Sequence, residues 1–151
     1  YVSVPGMISR TAPRAYVLTG DERYLASALR ACQFAVGVNP DNLVYTTGVG
    51  ANPVRNPLHI DSRMTGRPAP AGITVFGVSD PQERYGFDNW AYVWYLGKTM
   101  VPPARTWPAA EAYWDIYLVP STNEYTVHQT IGPTAYTWGF LAARQARRRE
   151  P

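Results

Sequence analysis

Two carboxylates, Asp115 and Glu124, lie among aromatic residues and are the strongest candidates for chemistry in this sequence. The aromatic neighbours along the chain are Tyr113, Trp114, Tyr117 and Tyr125. Apolar rings that remove a carboxyl group from water raise its pKa, so that it keeps a proton at neutral pH. Such a group can protonate the leaving oxygen of a glycosidic bond. The alternative is that Glu124 only caps a helix or interacts with its dipole.

Other kinds of catalytic site find little support. The sequence has 2 histidines, His59 and His128, and 1 cysteine, Cys32, and their spacing is not that of a zinc site. Cys32 falls on the apolar side of a predicted helix, where a small buried residue is expected. No nucleophile elbow, phosphate loop or dinucleotide fingerprint is present. We therefore expect no cofactor and assign no metal ligands.

The charge pattern argues against nucleic acid as a partner. The net charge is +3, but four of the arginines, Arg144, Arg147, Arg148 and Arg149, are close together near the C-terminus. Positive side chains in the last turn of a helix interact favourably with its dipole, which is a sufficient explanation for this cluster. No apolar run is long enough for a membrane span. We expect neither nucleic acid nor a membrane as a partner.

Helices must position the two carboxylates. A short helix is predicted over 12–18, and Asp21 is a good N-cap for a second helix over 22–36. Apolar residues recur in that second helix at steps of three and four, which predicts one buried face. They are Leu25, Ala28, Leu29, Cys32, Ala35 and Val36. Gly37 is the expected C-cap, and Pro40 prevents continuation.

A long irregular segment, 37–88, follows and is rich in proline and glycine. Long irregular segments in compact proteins often carry function, so we expect a binding surface here, with a short extended piece near 73–76. Further helices are predicted over 90–100, 108–117 and 133–148, the last with Pro133 in its first turn. The alternation of aromatic residues at the start of 90–100 also fits a strand. In that last helix Tyr136, Phe140 and Ala143 share one face. The fold class is therefore all-α, without a domain linker.

Three motifs occur in a fixed order. Gly37-Val38-Asn39-Pro40 follows an apolar helix, and a glycine-rich run from Val44 to Asn52-Pro53 comes next. Asp115 then precedes Glu124 by nine residues, and Thr126 follows. In this order and spacing the motifs resemble glycoside hydrolase family 9, the family of many bacterial and plant cellulases. The resemblance extends over roughly 10–145.

The resemblance implies part of an (α/α)6 barrel of helical hairpins with an open cleft at one end. The whole chain, 1–151, would be the C-terminal fragment of a single glycoside hydrolase catalytic domain. The family's mechanism inverts the anomeric carbon of a β-glycosidic bond. Glu124 matches the general acid of the family, and Asp115 matches the other carboxylate of the same motif. We expect Asp115 to orient the acid or the cleft wall through hydrogen bonds.

The expected substrate contacts come from the irregular segment and from aromatic side chains. The family has a Pro-His-His-Arg motif where this chain has Pro57-Leu58-His59-Ile60, so that His59 matches the second histidine. Asp61 and Arg63 follow and could bind sugar hydroxyls. Two alternatives stay open, a histidine bonded to a backbone carbonyl and an arginine paired with Asp61. Tyr125 and Trp90 are the expected stacking surfaces for a sugar ring. Leu58 and Ile60 stand where the family motif has its first histidine and its arginine, and these two departures mark a divergent branch.

The family's catalytic base comes from an Asp-Ala-Gly-Asp motif near the N-terminus of the domain, and this sequence lacks that motif. We therefore predict an inactive isolated fragment whose partners are a polysaccharide or oligosaccharide and the missing N-terminal part of the catalytic domain. The expected location is secreted or periplasmic. Calcium often accompanies the family, although no loop of oxygen ligands can be named here. The alternatives are a non-catalytic carbohydrate-binding module and a structural helical module.

Overall fold

The computed structural model describes residues 10–79 and 99–147, and within them it is helical, with no strand. The α-helices are α1 (Thr11–Thr19), α2 (Glu22–Ala35), α3 (Ile60–Thr65), α4 (Pro120–Asn123) and α5 (Gly132–Arg147). Short 3-10 turns occupy Ala104–Thr106 and Ala109–Glu111, and a π-helical turn, Val127–Ile131, runs directly into α5. The predicted all-α fold class is confirmed.

Helices α1 and α2 form a hairpin at the N-terminal end of the described chain. Gly20 adopts a left-handed conformation, with φ 70°, and its N–H donates to the carbonyl of Tyr16. Asp21 caps α2 by accepting a hydrogen bond from the backbone N–H of Arg23 at 2.9 Å. Both helices and this cap agree with the sequence-based prediction. The tight turn works because glycine reaches a positive φ at no steric cost.

Helix α5 packs against this hairpin. The Arg144 guanidinium lies 4.6 Å from the centre of the Tyr16 ring and donates a hydrogen bond to the Tyr16 hydroxyl. It also forms an ion pair with Glu22 at 3.3 Å. Phe140 meets the same tyrosine edge to face, with the ring centroids 6.2 Å apart. The two ends of the described chain are therefore joined by one polar and aromatic cluster.

The predicted buried face of α2 is right at most positions and wrong at two. Leu25, Ala28, Cys32 and Ala35 are buried, but Leu29 and Val36 are 41% and 42% exposed. These two side chains line an apolar groove of about 580 Å³ together with Trp138 and Leu141 of α5. Burial raises the pKa of the Cys32 thiol, as expected for a core cysteine. The C-cap is Val36 rather than Gly37, which follows it with φ 113°.

Within the described residues, the irregular segment runs from 37 to 79 and is interrupted only by α3. It contains a hydrophobic core of its own, formed by Tyr45, Val54, Val75, Val78 and Tyr113. The expected extended piece near 73–76 lies beside Tyr45, whose carbonyl accepts a hydrogen bond from the Val75 N–H at 3.0 Å. Beside it, the buried Thr46 and Thr74 hydroxyls are 2.9 Å apart. The irregular segment is thus held by buried side chains and by hydrogen bonds.

The glycines of the second motif are required by close packing. Gly48 has φ 68°, and a Cβ added to it would lie 2.6 Å from the Cβ of Ala71. Gly50 has φ 72°, and its added Cβ would lie 2.8 Å from the side chain of Val44. Both positions combine a left-handed backbone with no room for a side chain. The motif is therefore a packing motif in this structure.

One further prediction needs correction. The predicted helix over 108–117 is wrong, because only Ala109–Glu111 forms a single 3-10 turn. Beyond it, Asp115 bonds across to the irregular segment instead of continuing a helix. In α5, Pro133 is in the first turn as predicted, Thr134 and Thr137 are buried, and Tyr136 is 40% exposed. The predicted helix over 90–100 lies outside the described residues, apart from its last two positions.

Candidate active site

The backbone around Glu124 is held by hydrogen bonds on both sides. Glu124 is the C-cap of α4, and its N–H donates to the carbonyl of Pro120 at 3.0 Å. Its own carbonyl accepts from the N–H of Phe76 at 2.8 Å, and the carbonyl of Thr122 accepts from Gly77 at 2.9 Å. Hydrogen bonds from residues 76–77 of the irregular segment therefore fix the position of the backbone at Glu124.

The side chain of Glu124 is exposed and makes no hydrogen bond or ion pair with any residue that the structure describes. The sequence predicts that aromatic rings bury Glu124. Within 10–79 and 99–147 they do not. The Glu124 carboxylate does not cap a helix either. Thr126 is the N-cap of the following π-helical turn, and its hydroxyl accepts from the N–H of Gln129 at 2.9 Å.

Asp115 is in the opposite situation, because both of its carboxylate oxygens are engaged. Oδ2 accepts from the backbone N–H of Arg55 at 2.8 Å, and Oδ1 accepts from that of Asn56 at 2.9 Å. The Tyr113 hydroxyl donates to Oδ1 at 3.1 Å, and the Asn56 amide approaches Oδ2 at 3.4 Å. Asp115 thus joins the end of the irregular loop to the segment that leads to α4.

Two asparagines that the sequence analysis did not single out complete this framework. Asn123, directly before Glu124, is fully buried, and its amide donates to the carbonyls of Trp114, at 2.9 Å, and Ile116. The Asn123 carbonyl accepts from the N–H of Leu58 at 2.8 Å. Asn56 adds a hydrogen bond from its amide to the carbonyl of Asp115 at 3.0 Å. The only signal in the sequence was their position beside the motif residues.

His59 is the N-cap of α3 and faces the Glu124 segment. Its Nδ1 pairs with the Ser62 hydroxyl at 2.6 Å and accepts from the Ser62 N–H at 3.2 Å. Its ring stacks on that of Tyr125, with centroids 6.3 Å apart and an interplanar angle of 29°. Burial, and then the negative charge of Asp61, raises the pKa of the Tyr125 hydroxyl. The structure therefore brings together three predicted contact residues.

Arg63 also belongs to α3, and its guanidinium lies 4.9 Å from the centre of the Tyr117 ring. That is a cation–π distance, and Arg63 forms no ion pair with Asp61. Arg63, His59 and Tyr117 line a cavity of about 300 Å³ together with Arg55 and Arg67. Trp90, the remaining predicted stacking residue, lies outside the described residues.

Among the described residues, no group of three or more His, Cys, Asp or Glu side chains is arranged to hold a metal ion. In the same part of the chain, no helix has the length and apolar character needed to cross a bilayer.

Several solved structures are similar to this chain. A metagenome-derived glycoside hydrolase family 9 endoglucanase is 27% identical, with a TM-score of 0.58 over 87% of this chain and 20% of its own. AaCel9A, solved in complex with cellobiose-like isofagomine, is 26% identical, with a TM-score of 0.58 over 88% of this chain and 23% of its own. A Bacteroides ovatus family 9 protein is 23% identical, with a TM-score of 0.58 over 87% and 20%. No protein-family model matches the chain.

These matches cover most of this chain but only a small part of the solved structures, so the chain corresponds to one segment of a larger fold. Two of the three proteins are family 9 members by their descriptions. The chain thus has the fold of a segment, about 20% in length, of glycoside hydrolase family 9 structures, as its motifs predict.

Proposed function

We propose that this chain supplies the general acid, Glu124, of an inverting glycoside hydrolase that cleaves β-glycosidic bonds in a polysaccharide or oligosaccharide. The enzyme would act outside the cytoplasm, secreted or periplasmic, where such polymers are met. The similarity to a family 9 endoglucanase and to a protein solved with a cellobiose-like compound supports this class of reaction. The rest of the catalytic domain would be its obligatory partner.

The contrast between the two carboxylates carries the assignment of roles. Asp115 uses both oxygens to hold the loop at Arg55 and Asn56, so that it is suited to positioning rather than to proton transfer. Glu124 projects from a backbone fixed by Phe76, and its carboxyl group is exposed. A general acid must reach the leaving oxygen and must be held there by a rigid support.

The proposed reaction follows the inverting scheme. Glu124 transfers its proton to the glycosidic oxygen while the bond from that oxygen to the anomeric carbon breaks, and the bonding electrons remain on the oxygen. A water molecule attacks the anomeric carbon from the opposite face and gives its proton to a second carboxylate. In inverting enzymes this base lies about 6.5–9.5 Å from the acid. The base would come from the part of the domain that precedes this chain.

Side chains near Glu124 are suited to binding sugar. The stacked pair of His59 and Tyr125 presents a ring edge and a hydroxyl beside the proposed acid. Asp61 and Arg63 extend from the same short helix, α3, and offer an acceptor and a donor for sugar hydroxyls. Stacking of a sugar ring on Trp90 stays a prediction.

The test compares wild type with Glu124→Gln in the full-length protein that carries this chain, on a panel of β-linked oligosaccharides. We expect kcat to fall by about 10³-fold, because the amide cannot donate a proton as a carboxylic acid does. NMR of the first product should show the α-anomer. Glu111→Gln is the matched control, since Glu111 lies on a 3-10 turn and has no proposed role.

Two results would contradict the proposal. Full activity of Glu124→Gln would demote this residue from its role as acid, and a β-anomeric first product would exclude inversion. A wild-type protein that binds oligosaccharides without cleaving any of them, with unchanged affinity in Glu124→Gln, would instead identify a carbohydrate-binding module.

A further inference from the structure

The cavity beside α3 has an unusual charge. Arg55, Arg63 and Arg67 line it together with His59, and no Asp or Glu side chain of the described residues is among its lining groups. Its volume is about 300 Å³, which is room for one substituted sugar unit or less. Three guanidinium groups around one small cavity repel each other unless an anion lies between them.

None of these three guanidinium groups forms an ion pair with a described residue. Two acids lie on the adjoining elements, Asp61 and Asp115, and neither lines the cavity. Asp115 accepts hydrogen bonds from the backbone N–H groups of Arg55 and Asn56 and forms no ion pair with a cavity arginine. Within 10–79 and 99–147, the three guanidinium groups therefore have no ion-pair partner.

All three arginines are exposed, and one of them is positioned by an aromatic ring. The Arg63 guanidinium lies 4.9 Å from the centre of the Tyr117 ring, which restricts its position. Arg55 and Arg67 enter from the two ends of the segment that contains α3, one before the helix and one directly after its C-cap, Gly66. A planar guanidinium binds carboxylate and sulfate through paired N–H donors, which a neutral hydroxyl cannot match.

We infer that the cavity formed by Arg55, Arg63 and Arg67 binds an anionic substituent of the glycan, a uronate carboxylate or a sulfate ester, so that the substrate is an acidic polysaccharide or oligosaccharide. This inference rests on the proposed function, because it names the substrate class of the same site. The cavity shares His59 and Arg63 with the proposed sugar contacts next to Glu124, and so a charged unit bound there would be part of the chain being cleaved.

Binding and hydrolysis by the full-length protein test this inference separately. Binding is measured by titration calorimetry on the Glu124→Gln variant, with three β-linked oligosaccharides of equal length that are neutral, uronate-bearing or sulfated. We expect an anionic probe to bind at least about 10-fold more tightly than the neutral one, because it can form two charge-assisted hydrogen bonds with a guanidinium. Raising the ionic strength from about 0.05 M to about 0.5 M should reduce that preference. The stronger of the two anionic probes identifies the substituent.

Arginine variants locate the effect. Arg55→Gln and Arg67→Gln should each weaken anionic binding by about 3-fold to 10-fold and leave neutral binding within about 2-fold. Arg30→Gln, which removes an exposed arginine of α2, is the matched control and should change neither. Arg63→Lys tests planar recognition, because it keeps the charge and removes the paired donors. Circular dichroism of each variant confirms that it has folded.

The outcomes separate this inference from the proposed function. Equal affinity for neutral and anionic probes, or an equal loss on both in the arginine variants, overturns the acidic-glycan inference. Cleavage of the neutral probe with no preference for charge would leave the hydrolase proposal standing alone. Charge-selective binding that depends on Arg55 and Arg67, without cleavage of any probe by wild type, would support the anion site and reject the hydrolase.

Discussion

Asp115 is the residue on which the largest number of site contacts depends. It accepts hydrogen bonds from two backbone N–H groups and from the Tyr113 hydroxyl. Asp115→Ala removes the acceptor of two backbone N–H groups, and we expect the free energy of unfolding to fall by about 2–3 kcal/mol. Asp115→Asn, which keeps one acceptor oxygen, should lose less. Urea denaturation of both variants measures the difference. An unchanged midpoint for Asp115→Ala would show that the hydrogen bonds accepted by Asp115 do not stabilise the fold.

Asp41 provides a pH-dependent prediction away from the site. Burial, and then the negative charge of Glu111, raises its pKa from the usual 3.8 to about 6, although a hydrogen bond from Tyr45 lowers it. The folded state therefore holds this proton more tightly than the unfolded state does. Its contribution to stability is complete below about pH 4 and is lost as the pH rises through about 6.

Asp41→Asn should remove that loss. The variant is expected to be more stable than wild type at pH 7–8, and the advantage should shrink between about pH 6 and pH 4. Urea midpoints at several pH values measure it. A difference that is constant over this range would mean that Asp41 is not the titrating group.

At the scale of elements, the glycine motif predicts a graded response. Gly48→Ala places a Cβ 2.6 Å from that of Ala71 and keeps a positive φ, so we expect a loss of about 3 kcal/mol. Gly20→Ala has a similar φ of 70° but no heavy atom within 4 Å, and a loss of about 1 kcal/mol is expected. Thermal or urea unfolding gives both values. Equal losses would show that the clash relaxes and that only φ matters.

The helices that the sequence predicted well are those with local signals. The boundaries of α1 and α2 follow from Asp21, Gly20 and the apolar period, and that of α5 follows from Pro133. The segment 108–117 has helix-compatible residues, but its structure is set by bonds from Asp115 to a loop 60 residues away in sequence. No local pattern contains that information. The exposure of Leu29 and Val36 likewise depends on what packs beside them.

The site was predictable to a similar extent. The spacing of Asp115 and Glu124 singled them out as candidates, and the hydrogen bonds of Asp115 support the positioning role proposed for it. Asn123 could not be found, because an asparagine near a turn has many common explanations. Arg63 was among the predicted sugar contacts, but Arg55 and Arg67 were not, since they become neighbours only when the loop has folded around α3.

At the scale of the whole molecule, the chain matches about 20% of a family 9 structure. By the resemblance, the base that activates water belongs to the preceding part of the domain. We predict that the pure 151-residue chain shows no turnover of β-linked oligosaccharides under conditions in which the full-length protein is active. Reducing-end assays measure this. Detectable inverting hydrolysis by the isolated chain would place the base within it.

The long-range bonds of the site also set the order in which the molecule assembles. The turn at Gly20 joins helices that are neighbours in sequence, whereas the Asp115 carboxylate must find Arg55 and Asn56 across 60 and 59 residues. Closing a long loop costs more entropy than forming a local turn, and helices form within microseconds. During refolding in deuterated water, the amides of α1 and α2 should therefore be protected early, and those of Arg55 and Asn56 late. A chain in which these late hydrogen bonds had not formed would contain the helices α1 and α2 but would lack the proposed active site.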